Sequence, residues 1–304
     1  MMKIGVIGAG AWGTALYYAL KSAGNEMLIT SRTAKDLPDF TTLDEVLSCE
    51  YILMSISTQV CREWLSENLI FKNQKFLVAS KGIDIQTHQF LDEIYGAHIP
   101  KANLAFISGP SFAKEVIAKL PTALVISSTN ETVCDEWSAL FPTFIKTYIS
   151  ADVKGAEIAG AYKNVIAIAA GVSEALGLGN NARAALITRG LAEMERFGKL
   201  FGADERTFLG LSGVGDLFLT AASELSRNYR VGVGLGKGKN LDEILEELGE
   251  VAEGVPTAKA IVAICQEKNV YAPIAKEVLS MIEGKGAQES LQSLLSANQS
   301  YKEF

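Results

Sequence analysis

Gly8, Gly10 and Gly13 form a G-x-G-x-x-G within residues 2–13, Met-Lys-Ile-Gly-Val-Ile-Gly-Ala-Gly-Ala-Trp-Gly. The apolar run before it reads as a short strand, and Ala11 to Ala23 behind it reads as a helix. In that setting each glycine has a physical task. Gly8 permits a tight turn, Gly10 lets a pyrophosphate approach the backbone, and Gly13 lets the helix pack closely on the strand. The helix N-terminus then aims free N–H groups and a partial positive charge at the phosphates. This pattern points to a dinucleotide.

The second strand of such a unit normally ends in an acid that takes the ribose 2′-OH of NAD. Here it ends Thr30-Ser31-Arg32-Thr33. A hydroxyl and a guanidinium suit a 2′-phosphate, so NADPH is the expected cofactor, while Asp36 just beyond leaves NADH open. Reduction of a carbonyl also needs a proton donor. Neither histidine has a fitting context: His88 sits in a helical run and His98 precedes Pro100 in a turn. Lys163 fits better. On an Ala/Gly/Ile-rich helix its i±3 and i±4 neighbours are Ala159, Gly160, Ile166 and Ala167, with no carboxylate at helical pairing distance. An ammonium on that face has its pKa lowered by desolvation, unless the side chain snorkels to solvent. Asn164 beside it can fix an amide.

Three other segments hold polar groups in groups. Leu211-Ser-Gly-Val-Gly-Asp216 places a carboxylate at a loop-to-helix junction, read as a cap. Ser226-Arg227-Asn228-Tyr229-Arg230 can grip a phosphate or simply open a helix. Gly109-Pro110-Ser111-Phe112 follows a strand and offers a hydroxyl and free N–H groups.

The elements that must position these groups alternate over the first half. Expected strands are Lys3–Ile7, Met27–Thr30, Tyr51–Ile56, Lys75–Ala79, Leu104–Ile107, Ala123–Ser127 and Phe144–Tyr148. Helices are expected at Thr42–Leu47, Val60–Leu65, Gln86–Tyr95, Phe112–Ile117 and Glu131–Leu140, besides the first one. Near-continuous apolar strands separated by helices indicate a parallel sheet covered on both faces, with ligands at its carboxyl edge. After residue 150 the strand signal ends. Helices are expected at Asp152–Leu176, Asn181–Phe201, Leu225–Leu235, Leu241–Leu248, Thr257–Lys268 and Ile274–Glu283. The expected architecture is an α/β, doubly wound, mostly parallel Rossmann-like domain over residues 1–150. An all-helical substrate and catalytic domain over residues 151–304 follows it.

Composition narrows the class. The formal net charge is −7, from 28 Lys and Arg against 35 Asp and Glu with no basic cluster, which argues against nucleic acid. Cys49, Cys61, Cys134 and Cys265 are scattered, as reduced thiols are, and no metal-ligand spacing occurs. No signal peptide is visible and Ile158–Val172 is too short and polar to span a bilayer, so a cytoplasmic location without membrane insertion is expected. The acidic run Asp242–Glu250 reads as a solvated helix face.

Taken together, Gly8-Ala-Gly-Ala-Trp-Gly-Thr, Ser80-Lys-Gly-Ile, Ser108-Gly-Pro-Ser-Phe-Ala, Lys163-Asn164, Leu211-Ser-Gly-Val-Gly-Asp, Ser226-Arg-Asn and Val251-Ala-Glu-Gly-Val resemble the bacterial NAD(P)-dependent glycerol-3-phosphate dehydrogenase family. The motifs run in the family's order over nearly the whole chain. The resemblance implies reversible reduction of dihydroxyacetone phosphate to sn-glycerol 3-phosphate for phospholipid synthesis, with Lys163 as acid/base. It implies substrate contacts at Lys81, Gly109, Ser111, Lys163, Asp216, Ser226, Arg227 and Asn228. Cofactor contacts fall on Gly8, Gly10, Ala11, Trp12, Gly13, Arg32, Lys81, Ala113, Arg227, Val251 and Glu253. A homodimer stays open. The chain departs from the family between Arg32 and the third strand, where only Thr33–Glu50 replaces a longer insert, which weakens the cofactor preference. A 6-phosphogluconate-type β-hydroxyacid dehydrogenase and a non-catalytic NADPH-binding redox sensor are the alternatives.

Overall fold

The computed structural model describes residues 2–296. The first half contains β1 (Lys3–Ile7), α1 (Ala11–Ser22), β2 (Glu26–Thr30), α2 (Leu43–Leu47), β3 (Tyr51–Met54), α3 (Thr58–Asn68), β4 (Lys75–Val78), α4 (Leu91–Gly96), β5 (Leu104–Ser108), α5 (Ala113–Ile117), β6 (Thr122–Ser127), α6 (Glu131–Leu140) and β7 (Ile145–Ser150). The second half is helical: α7 (Val153–Ala175), α8 (Gly179–Lys199), α9 (Glu205–Leu209), α10 (Asp216–Ala221), α11 (Arg227–Gly236), α12 (Leu241–Leu248), α13 (Gly254–Lys268), α14 (Pro273–Ile282) and α15 (Ala287–Ser296). All seven strands expected from the sequence form. They make one sheet in the order β2-β1-β3-β4-β5-β6-β7. Every neighbouring pair is parallel except β5–β6, where Phe106 faces Ser127. The connection between those two strands holds only the single-turn α5, too little for the crossover that a parallel return requires.

The strands are apolar because both faces are covered. Ile4, Val6, Leu53, Leu77 and Ile126 pack with Leu16, Leu20 and Trp137 of α1 and α6 on one side. Ile7, Ile52, Met54 and Val78 pack with Val46, Cys61, Leu65 and Ile94 on the other. All four cysteines are buried, and none is in a disulfide.

The helical half is built around α7. Twenty of its residues, Lys163 and Asn164 among them, are buried. It therefore reads as apolar all round, the signature of a central helix rather than an amphipathic one. Helix α11 crosses it without side chains between the backbones. A methyl on Gly232 would lie 1.9 Å from the Ile168 carbonyl oxygen, and one on Gly171 would lie 2.1 Å from that of Tyr229. The two halves also interlock. Ile83 and Phe90, from the segment after β4, belong to the same apolar cluster as Ile158, Tyr162 and Phe197. Phe90 meets Phe201 edge-on, with a centroid separation of 4.9 Å.

Two local readings differ from expectation. Residues 86–90 do not join the helix expected over Gln86–Tyr95. Asp84 Oδ1 accepts the backbone N–H groups of Gln86 and Thr87, and His88 takes a φ of 59°, so a turn precedes α4. The second difference concerns Asp216, which is not a cap. Residues 211–215 already wind as a π-turn and run directly into α10.

Substitution Gly232→Ala forces α7 and α11 apart and lowers stability by about 3 kcal/mol. In a urea titration the midpoint falls with an unchanged slope. A midpoint equal to that of the parent protein would show that the crossing has slack.

Candidate active site

The turn after β1 has the shape its glycines require. Gly8 has a φ of 109°, and a Cβ there would lie 2.3 Å from the Ser55 carbonyl oxygen. A Cβ on Gly13 would lie 1.9 Å from Gly8 O, so the close packing of α1 on the turn needs glycine at both positions. Gly10 differs: nothing lies within 4 Å of a Cβ built on it. It is the N-cap of α1 and supplies no side chain to the first N–H groups, which include those of Ala11 and Trp12. An open backbone face and an uncapped helix N-terminus fit a pyrophosphate. Trp12 packs against the sheet core, and its buried Nε1 has no hydrogen-bond partner.

Beyond β2, Ser31 Oγ donates to the Thr33 carbonyl at 2.7 Å, and Arg32 and Asp36 are exposed. The short connection is tied back to α1. Asp39 accepts from the Tyr17 hydroxyl at 2.5 Å and from Lys21 Nζ at 2.6 Å, while Phe40 bridges to Ile29.

Across the carboxyl edge of the sheet, three charged side chains from three distant segments meet. Asp216, 1% exposed, accepts from Lys163 Nζ through Oδ1 at 2.5 Å and from Lys81 Nζ through Oδ2 at 2.8 Å. Lys163 Nζ also donates to Thr220 Oγ1 at 3.0 Å. Lys163 therefore does not snorkel; its ammonium lies inside. The partner absent from its own helix is supplied by α10, 53 residues on. Burial lowers the Lys163 pKa to about 8, with Lys81 adding repulsion and Asp216 acting in the opposite sense. Burial alone would raise Asp216, but the two ammoniums prevail and hold its carboxyl below the usual range. Two cations sharing one carboxylate leave a net positive site in an acidic chain, suited to an anionic substrate.

Each lysine has a reason for its position. Lys81 follows β4, and its aliphatic stem lies over Gly160, where a Cβ would come 3.3 Å from Cδ. Ser80 Oγ donates to the Ile56 carbonyl at 2.5 Å and anchors that loop. Residues before Asp216 are tied to β5 through Ser108 Oγ and Ser212 Oγ, 2.6 Å apart.

The remaining sequence-derived residues are placed as follows. Gly109 turns with a φ of 115°, and Ser111 Oγ donates to its carbonyl at 3.1 Å. Ala113 opens α5. Ser226 is the N-cap of α11 and accepts the Tyr229 N–H at 3.2 Å, the structural role that its position allowed. Asn228 Oδ1 accepts the Gly254 N–H at 3.0 Å, and Asn164 Nδ2 donates to Gly160 O at 3.3 Å. Arg227 pairs with Glu250 at 3.4 Å, and Val251 is exposed. Burial pushes the Glu253 carboxyl up, opposed by the Ser57 hydroxyl and the Thr58 backbone N–H. Its Oε2 has no hydrogen-bond partner. Thr220 was not among the expected residues. Its signal was the spacing Asp216-x-x-x-Thr220, which puts both side chains on one helix face once α10 starts at Asp216.

Family models described as the NAD-dependent glycerol-3-phosphate dehydrogenase N-terminus and C-terminus match residues 33–134 and 152–292. A glycerol-3-phosphate dehydrogenase [NAD(P)+] from Campylobacter jejuni subsp. jejuni serotype O:6 is 59% identical over 98% of this chain and 100% of its own. The protein of that name from Sulfurimonas denitrificans is 56% identical over 97% of this chain and 100% of its own. The crystal structure of glycerol-3-phosphate dehydrogenase from Coxiella burnetii superposes with a TM-score of 0.90 at 31% identity, covering 97% of this chain and 99% of that one. With the lysine–aspartate–lysine site and the glycine turn held in one such fold, the chain belongs to the NAD(P)-dependent glycerol-3-phosphate dehydrogenase family.

Proposed function

We propose that this protein reversibly reduces dihydroxyacetone phosphate to sn-glycerol 3-phosphate, the backbone precursor of phospholipids, with a nicotinamide dinucleotide. The observation that carries the reading is the Asp216 carboxylate buried between Lys163 and Lys81. When bound, the nicotinamide supplies the hydride that arrives at the carbonyl carbon. Lys163 Nζ gives its proton to the carbonyl oxygen as negative charge gathers there. A pKa of about 8 keeps this group mostly charged at neutral pH yet ready to release its proton. Asp216 holds the ammonium in place and favours its charged form. Lys81 presents a second cation to the anionic substrate and the developing alkoxide. In the oxidative direction neutral Lys163 takes the alcohol proton.

We assign the dinucleotide mainly to residues 1–150, with Gly8, Gly10, Ala11, Trp12 and Gly13 around the pyrophosphate and Arg32, Lys81 and Ala113 farther along, while Arg227, Val251 and Glu253 reach it from residues 151–304. Residues 151–304 supply most of the substrate site: Lys163, Asp216, Ser226, Arg227 and Asn228, joined by Lys81, Gly109 and Ser111 from the sheet. Arg32 and Ser31 support a preference for NADPH, since a guanidinium and a hydroxyl complement a 2′-phosphate. Four buried thiols, none in a disulfide, support a reducing, cytoplasmic setting. The family's motifs favour this reading over a 6-phosphogluconate-type dehydrogenase, and steady turnover in the assay below would exclude a redox sensor.

Parallel kinetics with dihydroxyacetone phosphate test the proposal. The protein oxidises NADPH in preference to NADH, and Arg32→Ala lowers that ratio of kcat/KM about tenfold. No turnover with either nucleotide refutes the activity, and an unchanged ratio in the variant removes Arg32 from specificity. Lys163→Ala loses about 10³-fold in kcat while cofactor titration is unaffected; near-normal turnover would remove Lys163 from its role. Reduction requires the ammonium, so kcat/KM falls as pH rises through about 8. Because Asp216 raises the pKa of Lys163, Asp216→Asn moves that alkaline limb to lower pH in any activity that remains. A limb displaced to higher pH would contradict the assignment.

A further inference from the structure

Glu157 lies on α7 six residues before Lys163 and is 8% exposed, although the chemistry above makes no use of it. Its Oε1 accepts the backbone N–H of Asp92 at 2.8 Å. Its Oε2 has no hydrogen-bond partner among the described residues. Lys154 Nζ is 3.9 Å away, beyond hydrogen-bond reach. That lysine is engaged elsewhere: it bonds Asp92, stands 3.6 Å from Glu93, and lies over the Phe90 ring at 4.3 Å. Burial pushes the Glu157 carboxyl well above the usual range, the Asp92 charge adds to this, and Lys154 opposes it. A neutral carboxyl group carries an O–H that must find an acceptor when buried.

A void of about 10 Å³ borders Glu157. Glu157 and Ala156 line it from α7, Ser80, Lys81 and Gly82 from the loop after β4, and Ser108 from β5. That volume matches one water molecule. Leu91, Phe106 and Ile107 make the rest of the lining apolar, so the polar side chains at hand are those of Glu157, Ser80, Lys81 and Ser108. Ser80 Oγ gives its proton to Ile56 O and keeps lone pairs free to accept.

We propose that Glu157 is a positioning residue for Lys81, acting through a single water in this void that bonds Glu157 Oε2 and the loop of residues 80–82. The same helix that carries Lys163 then also sets the height of Lys81, whose stem already rests on Gly160. One rigid element would thereby fix the separation of the two ammoniums that share Asp216. The proposal rests on the reading of this site as the one that takes dihydroxyacetone phosphate.

The test compares Glu157→Gln and Glu157→Leu with the parent enzyme by steady-state kinetics and thermal denaturation, and examines a high-resolution crystal structure of the parent. The amide keeps an acceptor for Asp92 N–H and a donor for the water, so Glu157→Gln retains KM for dihydroxyacetone phosphate within about threefold. The leucine displaces the water, and KM for that substrate rises about tenfold while KM for the nucleotide is unchanged, as expected for a misplaced substrate-binding group. Equal impairment of both variants, or a leucine variant that loses only thermal stability and kcat, overturns the proposal. The crystal structure decides independently of activity and of whether the leucine variant folds. Density for a water about 3 Å from both Glu157 Oε2 and an atom of residues 80–82 supports it, and a dry void refutes it. A parent enzyme inactive on dihydroxyacetone phosphate would refute the substrate reading, while the density would still decide the water site.

Discussion

A carboxylate removed from water must be compensated, and the structure answers that demand at Asp216 with two ammoniums. Their segments, around residues 81, 163 and 216, come from the end of a sheet strand, the middle of the central helix and the start of a short one. Burial disfavours each charge separately, but the three together stabilise one another. The consequence for chemistry is a lysine balanced between desolvation and attraction, with a pKa of about 8 rather than the ordinary lysine value. The proton-donor role proposed for it depends on the carboxylate staying where it is.

The scaffold is arranged to keep it there. Helix α7 is surrounded by its neighbours, and α11 approaches it to backbone contact through Gly171 and Gly232. From the sheet side, Ile83 and Phe90 reach into the helical core, so the loop carrying Lys81 is continuous with a segment that the other half grips. The Ser108–Ser212 pair ties the residues before Asp216 to the end of β5. Close packing of this kind resists small displacements, which is the property a proton-transfer site requires.

At the nucleotide end the constraint is one of space. Gly8 and Gly13 are glycines because a Cβ would strike backbone, whereas Gly10 is open and its openness faces the uncapped start of α1. The short segment after β2 is anchored by Asp39 to Tyr17 and Lys21 and leaves Arg32 exposed at the rim. On the proposed reading, two phosphate-bearing ligands would be met by different means: backbone N–H groups and a helix terminus for one, lysine ammoniums for the other.

Local pattern carried much of this into view. Seven strands were readable because buried parallel strands are apolar along their whole length, and the glycine turn because its spacing expresses a steric rule that operates over six residues. Lys163 stood out because a charge among Ala, Gly and Ile is costly wherever the helix is buried. Its partner did not stand out, since nothing local links residue 163 to residue 216, and the same blindness hid Thr220 and left Asp216 looking like a cap. Gln86–Gln89 likewise read as helix because its competing bonds to the buried Asp84 depend on a loop conformation that no periodicity reports. The sequence by itself determined the sheet, the glycine turn and a lysine on a small, apolar helix face, because those follow from neighbours along the chain. Only the tertiary structure decided that this lysine is paired, with which carboxylate, and beside which second cation, because charge balance in a protein interior is set by what is near in space.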